Sequence, residues 1–316
     1  MSPSILIVGA TGNTGGGVLH HLSSVLPSSK LFSNHLLIGL TRDKTGKTAT
    51  ELGKLPHVEI VESDWVMIDA EWLRSHEVER IFIAPHNGAS HFTDETLFLN
   101  AALEAGVKYL VRISTIRNNM GPTTPVFYGR NHWAVETMLE QPEFEGLAWT
   151  SLQPNAFSTM FFPHLQGWLK EYRETGKKGP VYIFIDGDVG IAAIDPFEIG
   201  LIAGHLLALD DPSPHASKKY VLSGPADVNG KDLIHVLEKH AGTVVDDVTF
   251  RDPDWIKHLG VSGFAPNVGK SLSFSHASSA TGSASFKAMP TSPEVAELYA
   301  PRNAGLDMLD EALSKL

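Results

Sequence analysis

The opening of the chain, Ser4-Ile5-Leu6-Ile7-Val8-Gly9-Ala10-Thr11-Gly12-Asn13-Thr14-Gly15, constrains the fold more than any other stretch. Residues 5–8 are uninterruptedly apolar and mostly branched, the pattern of a strand buried on both faces of a parallel sheet. Gly9, Gly12 and Gly15 follow at G-x-x-G-x-x-G spacing, and Val18-Leu19 and Leu22 then recur at helical intervals. A glycine triplet between strand and helix is the context of a dinucleotide-binding turn. Gly9 suits the tight turn, Gly12 the approach of backbone to a pyrophosphate, and Gly15 close packing of helix on strand. The free N–H groups near Asn13 and Thr14 then face phosphates at the positive end of the helix dipole. Gly9, Thr11, Gly12, Asn13, Thr14 and Gly15 are the candidate phosphate-side residues. The plain alternative is a glycine-rich turn with no ligand, which a position directly after a buried strand disfavours.

Strand patterns at 35–40, 57–61, 80–84, 107–114 and 147–152 alternate with helical ones at 68–75, 93–105 and from 128 to 139. Alternation of this kind gives a doubly wound parallel sheet with right-handed crossovers. The expected fold is α/β of Rossmann type, with a smaller C-terminal α/β substrate lobe. Residues 1–155 are the expected nucleotide domain, 185–210 return to it, and 156–316 form mainly the lobe. In the lobe, strands are predicted at 181–185 and 219–222. One helix follows Asp195 as N-cap, with Pro196 first and Glu198 completing a capping box; another spans 231–240 behind Asn229. A short helix is predicted at 254–259 and a terminal one at 303–315. Residues 271–286, rich in Ser, Ala and Gly, read as too polar and small for core, hence as a loop or a lid.

Composition narrows the function. Among 316 residues, 25 Lys and Arg stand against 36 Asp and Glu, for a net charge of −11. With no basic cluster, that balance argues against nucleic-acid or anionic-membrane binding. Cysteine is absent, which removes disulfides, thiolate metal sites and a catalytic thiol. His20-His21 and His86…His91 show no carboxylate or histidine partners, so no metal is expected. No apolar stretch has the length of a membrane span, and the N-terminal run is too short for a signal peptide. A cytoplasmic protein acting on a small molecule is expected.

The second predicted strand ends in Thr41-Arg42-Asp43-Lys44. A carboxylate here would hold the ribose 2′-hydroxyl of NAD, whereas a cation suits the 2′-phosphate of NADP. An Arg–phosphate contact contributes about 1.5–3 kcal/mol, enough to select NADP. Asp43 would offset part of that field, and a solvated surface arginine is the bland alternative.

Gly9-Ala10-Thr11-Gly12-Asn13-Thr14-Gly15 resembles the opening of the NmrA-like family of atypical short-chain dehydrogenases, and the likeness runs over roughly residues 4–240. That family embraces NmrA-type redox sensors, a bacterial type of quinone reductase and isoflavone reductase-like proteins. The resemblance implies NADP(H) as cofactor, with Arg42 where the 2′-phosphate arginine sits. It implies Asp64 against the adenine amino group, although Asp64 equally suits a turn leading into a helix. Ala84 and Pro85 would pass beside the adenosine, and Ser114 would hydrogen-bond a substrate carbonyl.

Tyr128 and His132 are four apart and share a helix face. They echo a Tyr-x-x-x-Lys dyad in which histidine replaces lysine, and a neutral histidine would lower the tyrosine pKa poorly. His132 followed by Glu136 and Met138-Leu139 resembles the NmrA-like quinone reductases. A histidine beside a nicotinamide can titrate near neutral pH and donate a proton; helix capping or ribose contact is the alternative. Glu136 reads as a solvated residue or as an orienting partner. Gln153-Pro154-Asn155-Ala156-Phe157 looks like the family's Arg-Pro-Asn-x-Phe segment beside the nicotinamide, with glutamine in place of arginine. Phe157, Met160 and Phe161 read as core, or as the wall of an apolar or aromatic substrate pocket. The implied function is an NADPH-dependent reductase transferring hydride to a conjugated carbonyl, quinone, imine or aromatic substrate. The alternative is a non-catalytic NADP(H)-binding redox sensor.

Overall fold

The computed structural model describes residues 2–255, 265–275 and 277–316. Its strands are β1 (Ser4–Val8), β2 (Leu36–Thr41), β3 (Val58–Glu62), β4 (Val78–Ile83), β5 (Tyr109–Ile113), β6 (Ala148–Pro154), β7 (Val181–Ile183), β8 (Lys218–Leu222) and β9 (Val248–Phe250). The main helices are α1 (Gly15–Val25), α2 (Lys47–Leu52), α3 (Ala70–Ser75), α4 (His91–Ala105), α5 (Phe127–Leu139), α6 (Phe162–Thr175), α7 (Pro196–Ala208) and α8 (Gly230–Ala241). Seven strands form one sheet in the order β3-β2-β1-β4-β5-β6-β8, and every pairing is parallel. This is the doubly wound Rossmann order with one strand added beyond β6.

Side chains alternate across the sheet, so each strand feeds two cores. Ile5, Ile7, Val111 and Leu152 meet α1 and α7 on one face. Leu6, Val8, Leu110 and Trp149 meet α3, α4 and α5 on the other. The contact between α1 and α7 has no room for side chains: a Cβ on Gly17 would lie 2.3 Å from the Phe197 carbonyl oxygen, and one on Gly200 2.1 Å from that of Thr14. At its other end α7 is held by Arg80, whose guanidinium donates to the Leu207 and Leu209 carbonyls at 2.7 Å each. Thus α7, far along the chain, clamps the glycine-rich turn from behind.

Several boundaries and roles differ from the sequence expectation. The helix expected from 68 starts at Ala70, because Asp69 takes the N-cap and accepts from the Trp72 N–H at 2.8 Å. The strand near 219–222 was expected in the smaller lobe; β8 instead pairs with β6 and extends the main sheet. Asp195 caps α7 through the Phe197 N–H, but Glu198 completes no capping box. Its buried carboxylate accepts from the Tyr299 hydroxyl and the Arg302 and Asn303 N–H groups, holding the C-terminal segment to α7. Asn229 does form a reciprocal capping box, with Asp232.

The smaller lobe has its own core, in which α6, α8 and the terminal helix Leu306–Ser314 surround the short parallel pair β7 and β9. β9 has only three residues, too few for an alternation signal. Most of the helix expected over 254–259 lies outside the described residues. Within 271–286, Ser271, Ser279 and Ala284 are buried, against the expectation that the segment is too polar for core. Burial of Ser271 is tolerated because its hydroxyl accepts from the Phe127 N–H and donates to the Pro125 carbonyl, both at 2.6 Å. No helix among the described residues is long and apolar enough to cross a membrane.

Gly200→Ala should force α7 off α1 and cost about 1–3 kcal/mol, the scale of core overpacking. Urea unfolding should show a lower midpoint at unchanged m. An unchanged midpoint would mean that the two helices do not need this approach.

Candidate functional site

The main cavity opens where the strand order reverses, between β1 and β4, the place where such sheets bind ligands. Gly9 turns the chain with φ +81°, and a Cβ on Gly15 would lie 2.2 Å from the Gly9 carbonyl oxygen. The turn closes through the Gly12 N–H onto the Gly9 carbonyl at 3.0 Å. The N–H groups of Asn13 and Thr14 have no backbone acceptor, and no side chain caps α1. Unsatisfied donors at a helix N-terminus are suited to a phosphate. Ala84 and Pro85, at the end of β4, form the facing wall.

From this turn a cavity of about 560 Å³ runs past Ser114, Tyr128 and His132 to Phe157, Met160, Phe184 and Trp255. Pro154 and Asn155 also line it. No Asp, Glu, Lys or Arg is among the described residues that line it. The far wall comes from the small-residue segment, with Leu272, Ser275, Ser279 and Ala284. That segment is fastened by hydrogen bonds to its carbonyls. Asn155 Nδ2 and the Ala192 N–H donate to Ala284 at 2.8 and 2.9 Å, and Asn118 Nδ2 donates to Ser283.

Other predicted residues lie off the cavity. Thr11 joins the turn to the end of β2 through Thr41, hydroxyl to hydroxyl at 3.3 Å. Arg42 is exposed just past β2 and pairs with no described residue. Asp43 makes no ion pair with it among the described residues; its carboxylate accepts from the Thr45 N–H and hydroxyl at 2.8 and 2.6 Å, which favours its charged form. Asp64 is exposed and accepts from the Val66 N–H at 3.4 Å, in the role of a turn residue. Phe161 is buried behind the wall, stacked on Phe184 with centroids 5.1 Å apart, so it packs the lobe and does not line the pocket. Gln153 turns away from the cavity and donates to both Glu136 oxygens at 3.2 and 3.0 Å.

At the waist of the cavity stand three neutral hydrogen-bonding side chains. Ser114, just past β5, is held by its N–H to the Leu152 carbonyl at 2.7 Å, and its hydroxyl has only the Met120 sulfur at 3.5 Å. Tyr128, in the first turn of α5, accepts from Asn119 Nδ2 at 3.3 Å. Burial pushes its phenol up to about 12, against the pull of hydrogen bonds to Asn119 and Thr115. No lysine is among the described residues that line the cavity beside it. His132 lies one turn further on the same face.

Behind His132 a polar row crosses the α4/α5 face of the sheet. Register sets Arg112 opposite Ser151, and Ser151 opposite Lys219. Arg112 and Glu95 are wholly buried and paired two-fold, Nε to Oε1 at 2.8 Å and Nη2 to Oε2 at 2.9 Å. Burial alone would raise the Glu95 carboxyl, but Arg112 and His91 outweigh it and hold it at about 2. Arg112 Nη1 donates to Ser151, whose hydroxyl donates to Glu136 at 2.6 Å. Glu136 is therefore buried, not solvated, and its hydrogen bonds run to Ser151 and Gln153, not to His132. Arg112 Nη2 also reaches His132 Nδ1 at 3.1 Å. Burial first, and then Arg112, holds the His132 imidazole well below its ordinary value. The expectation that His132 titrates near neutral pH is thereby reversed.

His91, Glu95 and His132 present ligand atoms close enough together to suggest a metal site. The expectation that His86 and His91 lack carboxylate partners is overturned, since His86 Nε2 meets Asp94 at 2.9 Å and His91 Nε2 meets Glu95, one turn on, at 2.7 Å, while only the fold brings His132 to the group. The guanidinium of Arg112 bonds both Glu95 and His132, and so already fills the position a cation would take.

Glu136→Leu should strand Arg112, Ser151 and Gln153 and cost about 3–5 kcal/mol, whereas Glu136→Gln should cost less. Urea denaturation of both variants measures this, and equal, small losses would show the row to be solvated.

No curated protein gives a significant sequence match, but solved structures do match. An NADPH-dependent quinone oxidoreductase of Escherichia coli, solved with NADPH, is 21% identical at a TM-score of 0.70 over 98% of this chain and 99% of that one. A triphenylmethane reductase of Citrobacter sp., solved with NADP(H), is 19% identical at 0.68 over 98% and 99%. NmrA, a negative transcriptional regulator solved with NADP, is 14% identical at 0.71 over 99% and 96%. At these identities the likeness is one of fold. The profile of the NmrA-like family matches residues 1–300, and the chain belongs to that family.

Proposed function

We propose that the protein binds NADP(H) along this cavity and reduces a neutral, conjugated oxygen acceptor of the quinone or enone class. The observation that carries this reading is the cavity itself, which joins a phosphate-type helix N-terminus to an aromatic chamber through a waist of uncharged donors. The lack of charged side chains among the described lining residues disfavours a charged substrate, whose desolvation these residues would not offset. Two of the similar structures are reductases crystallised with NADPH or NADP(H), which supports the same cofactor here.

The pyrophosphate would rest on the N–H groups near Asn13 and Thr14, and Arg42, exposed and unpaired, would take the 2′-phosphate. Bound NADPH supplies hydride. The electron pair displaced onto the acceptor oxygen is met by Ser114, His132 and Tyr128. Tyr128 remains a phenol across physiological pH and so holds the proton that the reduced oxygen needs.

A second reading is a regulatory NADP(H) sensor, supported by the absence of a lysine at His132 and by the likeness to NmrA. Calorimetry with NADPH and NADH, followed by turnover on quinones, enones and imines, separates the two. Binding with turnover supports the reductase, and binding without turnover on the whole panel favours the sensor.

Arg42→Ala should weaken NADPH binding by roughly ten- to a hundred-fold and leave NADH nearly unchanged. Equal losses for both would remove Arg42 from the 2′-phosphate. Tyr128→Phe should lower kcat by roughly 10²-fold or more with NADPH affinity kept, and an unchanged kcat would exclude Tyr128 as proton donor.

A further inference from the structure

We infer that Arg112, backed by Glu95, is a positioning residue that locks His132 as the uncharged tautomer with its proton on Nε2, so that the ring offers the cavity a fixed hydrogen-bond donor. The inference rests on the reductase reading for its use, and on hydrogen-bond chemistry for its substance. A guanidinium has donors and no acceptor. The contact of Arg112 Nη2 with His132 Nδ1 at 3.1 Å therefore requires a lone pair on Nδ1. The neutral ring must then carry its proton on Nε2. Nε2 makes no hydrogen bond to a described residue, and the ring lines the cavity between Ser114 and Tyr128.

Arg112 cannot turn aside. Its Nε and Nη2 hold the two Glu95 oxygens, and its Nη1 holds Ser151 at 3.0 Å. Glu95 is fixed in turn by His91 Nε2 at 2.7 Å. A second proton on His132 would set N–H against N–H and a cation against a cation, in a place shielded from water. The charged and titratable groups that the described residues place around the ring fit this account. Arg112 on β5 and His91 on α4 oppose a charge on it, and Tyr128 on its own helix stays neutral. Glu95 favours a charge, but its oxygens are already committed to Arg112 and His91. Glu136, also on α5, is engaged with Ser151 and Gln153.

The consequence for the reaction is a division of labour. When hydride adds to the conjugated acceptor, the π electron pair moves onto its oxygen. His132 Nε2–H stabilises that oxygen without giving up its proton. The O–H bond of Tyr128 breaks, the proton passes to the substrate oxygen, and the phenolate recovers a proton from solvent.

The test is NMR of the histidine ring nitrogens in the 15N-labelled full chain, with His132 assigned by its loss in His132→Gln. The wild type should show Nδ1 unprotonated and Nε2 protonated, unchanged from about pH 5.5 to about pH 8. Titration of His132 in that window, or a proton on Nδ1, overturns the inference even in an active reductase. Because Arg112→Met would strand Glu95, the paired Arg112→Met/Glu95→Leu variant is the kinetic probe. It should let the ring titrate and lower kcat by roughly 10²-fold, the scale of one lost preorganised donor, with NADPH affinity kept. Unchanged kcat in a folded double variant overturns the positioning role. A locked ring in a protein that binds NADPH but reduces no acceptor leaves the lock standing and removes the reductase reading.

Discussion

The wholly buried pair of Arg112 and Glu95 is the interaction on which the rest of the active half depends. Two charges without water are costly, and attraction alone seldom compensates. Here further hydrogen bonds from Ser151, His91 and His132 surround them. The pair joins strand β5 in the sheet to helix α4 and, through His132, to helix α5, which packs beside α4 on the same face and bears Tyr128 and His132. A core of leucines could hold these elements together equally well. It could not specify which nitrogen of a histidine carries a proton.

The two ends of the cavity obey different physics. The nucleotide end is built from backbone, with a tight turn, unsatisfied N–H groups and helices pressed together until only glycine fits. The far end is built from side chains, aromatic and aliphatic, with no Asp, Glu, Lys or Arg among the described residues that line it. Between them stand hydroxyl, phenol and imidazole groups, all uncharged. A molecule spanning the cavity is thus asked to be anionic at one end and neutral at the other.

The backbone end was legible in the sequence, because strand, glycine triplet and helix announce themselves locally. So was the parallel sheet, from alternating strand and helix patterns. The polar row was not. Arg112 sits inside a strand whose neighbours are apolar, and nothing in its spacing names Glu95, 17 residues earlier, or Ser151, 39 residues later, as partners. Glu136 at helical spacing from His132 invited an i,i+4 pairing, yet strand register drew it to Ser151 and Gln153. Glu198 looked like a capping residue and proved to hold the C-terminal segment. Phe161 looked like a pocket wall and packs behind one. In each case the local pattern fixed the face and tertiary register chose the partner.

The closure of the far wall has a further meaning. At one end the Ser271 hydroxyl ties it to Phe127 and Pro125, and further on hydrogen bonds end on the carbonyl oxygens of Ser283 and Ala284, atoms every residue possesses. The side chains that face the chamber from this segment take no part in those hydrogen bonds. Drift at Leu272 or Ser275 can therefore reshape the chamber without breaking those hydrogen bonds. The shape presented to the cavity and the fastening of the wall are thus set by different atoms, so the one can vary while the other stays.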